Sequence, residues 1–130
     1  MVNIGALIVA AGKSTRMGKP KLLLPFKGAP LITHPVLLAI QNQLQPIVCI
    51  TGGYEEEIAK VLAHFQEHIT IKHNPHYESG MASSLKEGIH ALQGKVDAVI
   101  IFLGDQPLVP DFVVQTIIQQ YKANKKKGVK

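Results

Sequence analysis

The stretch Ile4–Gly28 decides the fold of this chain and reads IGALIVAAGKSTRMGKPKLLLPFKG. It begins with a continuous apolar run, Ile4–Val9, which is typical of a strand in a parallel sheet that is covered on both faces. Small residues then end the strand at positions 10–12, and cations follow at Lys13, Arg16, Lys19 and Lys21. Because successive backbone N–H groups and nearby cations attract phosphate, the pattern predicts an anion site, and the anion we expect is a nucleoside triphosphate.

Apolar runs and helical patterns alternate along the rest of the chain. Further strands are predicted at Ile47–Thr51, Ile69–Lys72 and Ala98–Leu103. Helices are predicted at Leu31–Leu44, from Glu55, from Met81 and from Asp111. Their apolar stripes are Ile58, Val61, Leu62 and Phe65 in the second, Met81, Leu85, Ile89 and Leu92 in the third, and Val114, Ile117, Ile118 and Tyr121 in the fourth. Strands that alternate with helices of this length indicate βαβ units, an α/β fold and a parallel sheet.

Composition limits the classes of protein that the chain can belong to. Its 130 residues fit one domain, predicted at residues 1–124 with a Lys-rich tail at 125–130, and 46% hydrophobic residues indicate a folded chain. The formal net charge is +5, but aromatic residues make up only 5% and Trp is absent, so nucleic-acid binding is kept only as a weak alternative. The single Cys49 indicates a buried thiol. We find no membrane span or signal peptide, so we expect a cytoplasmic location and no membrane partner.

Ligands of parallel α/β sheets bind beyond the carboxyl ends of the strands. That rule points to four loops, at residues 10–30, 52–53, 74–80 and 104–107. The first is predicted to run for about 20 residues without regular structure, which is uncommon outside functional sites. In it, Gly12 allows close backbone approach to a ligand, while Arg16 and Lys21 suit phosphate oxygens. The alternative is a solvated surface loop whose cations are incidental.

The first loop is neither a P-loop nor a dinucleotide-binding loop. A P-loop needs a glycine where this chain has Leu7, in the middle of a strand. The pattern G-x-G-x-x-G fails because position 14 is Ser14. We therefore expect a phosphate-binding loop of another kind.

Two other loops carry candidate residues. Asp105 follows the apolar strand 98–103, where one carboxylate together with substrate phosphates suits Mg²⁺; a turn or helix-cap residue is the alternative. The loop from Asn74 leads into a hydroxyl-rich helix start with Ser83 and Ser84. Those hydroxyls either cap the helix or bind a base or ribose, and the residue chemistry does not separate the two interpretations.

Three segments carry a family resemblance: AAGKSTRMGKPKLLLPFKG at 10–28, NPHYESGMASSLKEGI at 74–89 and LGDQP at 103–107. Together they resemble the MobA-like NTP transferases, in the branch of the molybdenum cofactor cytidylyltransferases. The resemblance implies a three-layer, mainly parallel Rossmann-like sheet with helices on both faces, of the nucleotide-diphospho-sugar transferase type. It implies transfer of CMP from CTP to molybdopterin with release of pyrophosphate.

The resemblance also implies roles for individual residues. Arg16 and Lys21 would be catalytic, by stabilising the triphosphate and the charge that develops at the α-phosphorus. Asp105 would hold Mg²⁺. The expected nucleotide-binding residues are Ala10, Ala11, Gly12, Lys13, Ser14, Gly52, Asn74, Gly80, Met81 and Ser84.

Members of that family are longer than this chain. Their later part supplies a Gly-His-Pro segment, further strands and a second acidic metal ligand, so we expect the C-terminal part of the fold to be missing and this form to bind nucleotide weakly without turnover. An exposed sheet edge would then favour self-association. Two alternatives stay open: a cofactor-binding maturation factor with a molybdenum hydroxylase as partner, and a sugar-1-phosphate nucleotidyltransferase.

Overall fold

A computed structural model describes residues 2–11, 15–16, 19–106 and 109–126, with backbone alone at 15, 16, 19 and 126. Its strands, in chain order, are β1 (Ile4–Ala10), β2 (Thr15–Arg16), β3 (Lys19–Pro20), β4 (Pro25–Phe26), β5 (Ala29–Pro30), β6 (Ile47–Thr51), β7 (Thr70–His73) and β8 (Ala98–Leu103). Four of them form one parallel sheet in the order β7-β6-β1-β8. Leu7 at its centre pairs with Val48 on one side and Ile101 on the other. The predicted α/β fold with a parallel sheet is confirmed.

The helices are α1 (Thr33–Gln41), α2 (Glu55–Val61), α3 (Met81–Leu92) and α4 (Asp111–Lys126). The first helix is shorter at both ends than the predicted 31–44, and Pro35 lies in its first turn, where its missing N–H costs little. The second stripe is divided, since Phe65 lies in a 3₁₀ turn at Ala63–Phe65. The third sheet strand was predicted one residue too early. Helix α4 continues past the predicted domain boundary at 124, and the division into domain and tail stays a prediction.

The first loop contains regular structure, so the prediction of a structureless segment was wrong. Strands β2 and β3 pair antiparallel, as do β4 and β5. Between the two pairs, Lys21–Leu23 forms a 3₁₀ turn whose Leu22 is buried. Backbone hydrogen bonds hold this turn, because Ile32 N–H donates to the carbonyl of Leu22 at 3.0 Å. Short local pairings of this kind carry no hydrophobic periodicity, which is why the sequence pattern did not show them.

Helices cover both faces of the sheet. Because side chains alternate along a strand, Ile8 faces one layer and Leu7 the other. The first layer joins β1 to α1, α2 and α4 through residues such as Val36, Ile58 and Val114. The second layer joins β1 and β6 to α3. The expected three-layer arrangement is therefore confirmed.

Helix α3 contacts the sheet through two small residues as well as a leucine. Ser84, Gly88 and Leu92 are its buried positions, and a Cβ atom at Gly88 would overlap the side chain of Leu7. The predicted stripe was wrong at two positions, since Met81 is 53% and Ile89 51% exposed. A helix that approaches a sheet this closely needs a residue without a side chain at the contact, so its larger apolar residues lie to the side.

Helix α4 shows a smaller error of the same kind, because Ile117 is 47% exposed while Val114 is buried. Among the described residues, no helix is both long and apolar enough to cross a membrane.

Candidate functional site

A cleft of about 200 Å³ lies at the carboxyl ends of β1 and β8. Val9, Leu22 and Leu103 supply apolar lining, while Lys21 and Asp105 supply charge. The remaining lining residues are Pro20, Tyr54 and Met81. The cleft therefore brings together Lys21, Met81 and Asp105, three predicted site residues that come from three separate parts of the chain.

Lys21 and Asp105 face each other across this cleft. The Lys21 Nζ atom lies 3.6 Å from a carboxylate oxygen of Asp105, and the two side chains are 41% and 46% exposed. A half-exposed pair of this kind contributes little to stability, because water screens it. The ammonium and the carboxylate can therefore separate at low cost and interact with a ligand instead.

The end of β8 fixes the position of Asp105. Gly104 N–H donates to the carbonyl of Val9 at 2.9 Å, which extends the β1–β8 ladder by one step. A Cβ atom at Gly104 would lie 2.9 Å from that carbonyl oxygen. The chain then turns, and Asp105 is the first side chain beyond the ladder to enter the cleft.

Asn74 organises the loop that follows β7. Its side chain is fully buried, and its amide nitrogen donates to the hydroxyls of Ser83 at 2.9 Å and Ser84 at 3.0 Å. Its amide oxygen accepts from His76 N–H at 2.9 Å. The Ser83 hydroxyl in turn lies within hydrogen-bond distance of the carbonyls of His76 and Gly80. Asn74 thus ties the loop to the first turn of α3.

The network answers a question that residue chemistry left open. The residue that precedes α3 is Gly80, which has a φ of 107°, and no side-chain hydrogen bond caps the start of the helix. Ser84 is 1% exposed and lies inside the network with Asn74. The capping interpretation is therefore wrong for both serines. Their predicted contact with a ligand stays a prediction, since neither Asn74 nor Ser84 lines the Lys21–Asp105 cleft.

Gly52 allows three loops of the site to approach one another. A Cβ atom there would overlap the carbonyl oxygen of Ala11 and lie 2.8 Å from Cβ and Cγ of Tyr77. The loops after β1, β6 and β7 therefore meet at one glycine. Ala10 and Ala11 are themselves buried at 1% and 5% exposure. Their predicted contact with a nucleotide stays a prediction.

The other predicted residues of the first loop are only partly described. Gly12, Lys13 and Ser14 lie outside the described residues. The backbone of Arg16 pairs with Lys19 in the β2–β3 ladder. Their predicted roles stay predictions.

Tyr54 is a cleft residue that the sequence analysis missed. It precedes the first turn of α2, is partly buried, and lines the cleft with Lys21 and Asp105. Tyr54 directly follows Gly52–Gly53 at the carboxyl end of a strand, and ligands of parallel α/β sheets bind beyond the carboxyl ends of the strands. The sequence therefore contained the information needed to predict Tyr54 as a cleft residue, because this rule applies to the neighbours of a loop as well as to the loop.

The described residues contain no group of three or more His, Cys, Asp or Glu side chains that could enclose a metal ion. Among the described residues that line the cleft, Asp105 supplies the carboxylate. Mg²⁺ is often held by one or two carboxylates together with substrate phosphates and water. The half-exposed carboxylate of Asp105, in a cleft that also presents a cation for phosphate, fits a metal that arrives with a nucleotide.

Comparison with known protein families shows to which family the chain belongs. The family model described as the MobA-like NTP transferase domain matches residues 6–129. This chain belongs to that family. The MobA-like chain is also 34% identical over 107 residues to the molybdenum cofactor cytidylyltransferase of Escherichia coli, which covers 82% of the chain and 54% of that protein. It is 30% identical over 122 residues to the bifunctional protein GlmU of Syntrophotalea carbinolica, which covers 92% of the chain and 26% of that protein.

Solved structures agree on the fold of the MobA-like chain. A nucleotidyl transferase from Methanothermobacter thermautotroptrophicus matches 90% of it with a TM-score of 0.78 at 25% identity, and the chain covers 57% of that structure. The expected Rossmann-like nucleotidyltransferase fold is confirmed. The MobA-like chain spans about half the length of the cytidylyltransferase and about a quarter of GlmU.

Proposed function

We propose that this MobA-like domain belongs to a Mg²⁺-dependent nucleotidyltransferase that transfers CMP from CTP to molybdopterin. The observation that carries the proposal is the meeting of Lys21 and Asp105 at 3.6 Å across a cleft at the carboxyl ends of β1 and β8. Family membership supports nucleotide transfer. The similarity to the cytidylyltransferase supports CTP and molybdopterin, because this chain covers twice as much of that protein as of GlmU, 54% against 26%.

In the proposed reaction, an oxygen of the acceptor phosphate attacks the α-phosphorus of CTP. One P–O bond forms, the bond to the β-phosphate oxygen breaks, and pyrophosphate leaves with the electron pair. Because the attacking phosphate is already ionised, no protein base is needed, and catalysis depends on positioning and on charge stabilisation. Lys21 provides a mobile positive charge for the triphosphate, and we propose Arg16 as a second.

Asp105 would hold the metal, which supplies positive charge to the phosphate oxygens when it is bound. The Lys21 ammonium competes for the same carboxylate. Binding of a triphosphate offers Lys21 other oxygen partners and so frees Asp105. We therefore expect metal and nucleotide to bind more tightly together than separately.

The remaining walls of the cleft suit the nucleoside. Met81 starts α3 and is 53% exposed, while Tyr54 presents a partly buried ring on another wall. Among the predicted nucleotide contacts, Gly52, Asn74, Gly80 and Ser84 shape the loops around this cleft. We propose that Met81 contacts the nucleoside directly and that Asn74 and Ser84 hold the loop against it.

Nucleotide transfer to a sugar 1-phosphate, by an enzyme that uses the same kind of first loop, is the second candidate. A molybdenum hydroxylase as partner, and a cytoplasmic location, stay proposals from the family resemblance.

Two measurements test the proposed function. The first is calorimetric titration of the chain with CTP, GTP and UTP in the presence of Mg²⁺, in which we expect CTP to bind most tightly. The second is release of pyrophosphate from CTP with molybdopterin as acceptor. CTP bound no more tightly than GTP or UTP would contradict the proposed nucleotide, and pyrophosphate release that needs no molybdopterin would contradict the proposed acceptor.

Variants at the cleft test the mechanism. We expect Asp105→Asn to remove the Mg²⁺ dependence of CTP binding. In any active form, Lys21→Ala should slow transfer by about 10²–10³-fold, the usual cost of one lost charge-stabilising donor. Glu57→Gln and Lys60→Ala, both on the exposed part of α2, are the matched controls. The mechanism is wrong if Asp105→Asn retains metal-dependent binding, or if the control variants lose as much as the cleft variants.

A further inference from the structure

The wall of the cleft beside β6 carries an aromatic ring. Tyr54 is the aromatic residue among the described residues that line the cleft, and it is half-buried. It comes directly after Gly52 and Gly53 at the carboxyl end of β6, and directly before α2. Aromatic side chains stabilise nucleobases by stacking, because every base has a flat π-face. The position of this ring therefore bears on how tightly the cleft holds a nucleoside.

The backbone of Tyr54 is held from its carboxyl side. Its carbonyl oxygen accepts from Ile58 N–H at 3.0 Å, and the Ile58 side chain is fully buried in the core. On its amino side Tyr54 follows the exposed Gly53, and glycine restricts the backbone less than any other residue. Within the described part of the chain, no side-chain hydrogen bond caps α2. The place of the ring therefore depends on what holds the first turn of this helix.

A side-chain contact between His73 and Glu55 joins that turn to the sheet. The Nδ1 atom of His73 lies 2.7 Å from Oε2 of Glu55, the residue after Tyr54. His73 ends β7 and pairs with Thr51 of β6, so its backbone belongs to the parallel sheet. The chain stays in the ladder beyond it, since Asn74 N–H donates to the carbonyl of Thr51 at 2.8 Å. The contact thus ties the neighbour of Tyr54 to a fixed point of the fold.

A second neighbour limits the movement of the imidazole. The ring centroids of His73 and Tyr77 lie 6.2 Å apart, with an angle of 57° between the ring planes. Tyr77 is itself packed against the end of β6, because its Cβ and Cγ atoms would lie 2.8 Å from a Cβ atom at Gly52. His73 thus has one neighbour on α2 and another on the loop after β7.

The exposure of the His73–Glu55 pair indicates what it can do. The two side chains are 39% and 46% exposed, and a pair this exposed contributes little to global stability because water screens it. The contact does not need a charged imidazole, since a neutral imidazole that carries its hydrogen on Nδ1 also donates to a carboxylate. A weak contact directly beside Tyr54 can still select among the positions of a half-buried ring. Its effect should therefore appear in ligand binding and not in the stability of the chain.

We propose that His73 is a positioning residue for the cleft. Through Glu55 it holds the first turn of α2, and this places the ring of Tyr54 where it packs against the nucleoside. The inference rests on the proposed function, because it takes the ligand of the cleft to be a nucleotide. Neither His73 nor Glu55 is among the described residues that line the cleft, so His73 acts on the ligand through Tyr54. Loss of Tyr54 should therefore abolish the effect of His73 on binding.

A double-mutant cycle tests this dependence by calorimetric titration with CTP and Mg²⁺. Tyr54→Ala should raise the dissociation constant of CTP about tenfold, as expected for one lost stacking partner. His73→Ala should raise it about threefold, since a half-exposed pair supports an effect of that size. In the Tyr54→Ala chain, His73→Ala should have no further effect, because the two residues act as a unit. An equal loss of affinity with and without Tyr54 would overturn the proposal.

Two variants separate positioning from a general structural role. His73→Asn keeps an N–H donor close to the place of Nδ1, so it should bind CTP within about twofold of the unmodified chain. His64→Ala, at an exposed histidine just beyond the other end of α2, is the matched control and should leave CTP binding unchanged. In urea denaturation, His73→Ala and His64→Ala should have the same midpoint. If His73→Asn binds as weakly as His73→Ala, or if His73→Ala unfolds at a lower urea concentration than His64→Ala, His73 is structural and the proposal fails.

Fluorine NMR tests the positioning without nucleotide. The chain has 3 tyrosines, so incorporation of fluorotyrosine gives one signal for each, and the signal lost in Tyr54→Phe belongs to Tyr54. His73→Ala should shift the Tyr54 signal and His73→Asn should retain it, while the signal of Tyr121 on α4 serves as an internal reference. An unshifted Tyr54 signal in His73→Ala would overturn the positioning. A shifted signal in a chain that binds no CTP would support the positioning and contradict the proposed function instead.

Discussion

Replacement of the buried Asn74 is the sharpest test of how the site loop is held. Asn74→Ala removes three hydrogen bonds, two to serine hydroxyls and one from His76 N–H. Each bond is worth about 1 kcal/mol, and a buried polar group left without its partner costs about 1–3 kcal/mol. Ser84 is such a group at 1% exposure, whereas His76 N–H can turn to water. We expect the free energy of unfolding to fall by about 2–4 kcal/mol, a large share of the about 5–15 kcal/mol of a typical domain.

Urea denaturation followed by circular dichroism measures this loss without any ligand. Asn124→Ala on the exposed part of α4 is the matched control and should change stability by less than about 0.5 kcal/mol. The double variant Asn74→Ala with Ser84→Ala should cost less than the sum of the single variants, by about 0.5 kcal/mol or more, because the two side chains share a bond. Strictly additive costs, or a loss below about 1 kcal/mol for Asn74→Ala, would refute the network as the feature that holds the loop.

Two further predictions concern the core. Gly88→Ala should destabilise the chain by about 1–3 kcal/mol in urea denaturation although alanine favours helices, because the added Cβ overlaps Leu7; a stabilised variant would contradict the packing. Burial raises the pKa of the Cys49 thiol from 9.0 to about 12, so the thiol stays neutral in the folded state while the unfolded chain ionises. The contribution of the neutral thiol to stability is therefore complete below pH 9 and is lost as the pH rises towards 12, by at most about 1.4 kcal/mol per pH unit. The difference in the free energy of unfolding between the native chain and Cys49→Ala, measured across that pH range, should show this loss.

The sequence predicted the sheet well because its central strands are apolar on both faces. The strands at 47–51 and 98–103 have the predicted bounds, and β1 continues one residue further, to Ala10. Strand β7 was placed one residue early because it lies at the sheet edge and is mostly exposed, so its apolar signal is weak. Hydrophobic pattern is most informative where burial is complete, and it fades where one side of an element faces water.

The error in α3 has a different physical cause. A stripe of large apolar residues predicts which face is buried only when those residues make the contact. Here Gly88 lies directly against Leu7, and Ile89 is left 51% exposed. Which face of α3 is buried depends on how closely the helix approaches the sheet. A single sequence gives no information on the distance between the helix and the sheet.

The expectation that ligands bind beyond the carboxyl ends of the strands predicted most of the cleft residues. It did not predict how Lys21 is held in position there. Lys21 lies beside Asp105 because its neighbour Leu22 is buried at 9% exposure, and Leu22 Cδ2 would lie 3.2 Å from a Cβ atom at Gly104. The backbone of Leu22 is held as well, since its carbonyl accepts from Ile32 N–H. A long, mobile cation is thus placed at one end of the cleft by burial of the apolar residue next to it. The backbone of a half-exposed lysine can thus have a defined position, because the neighbouring leucine is buried in the core, while the ammonium group is free to contact a ligand.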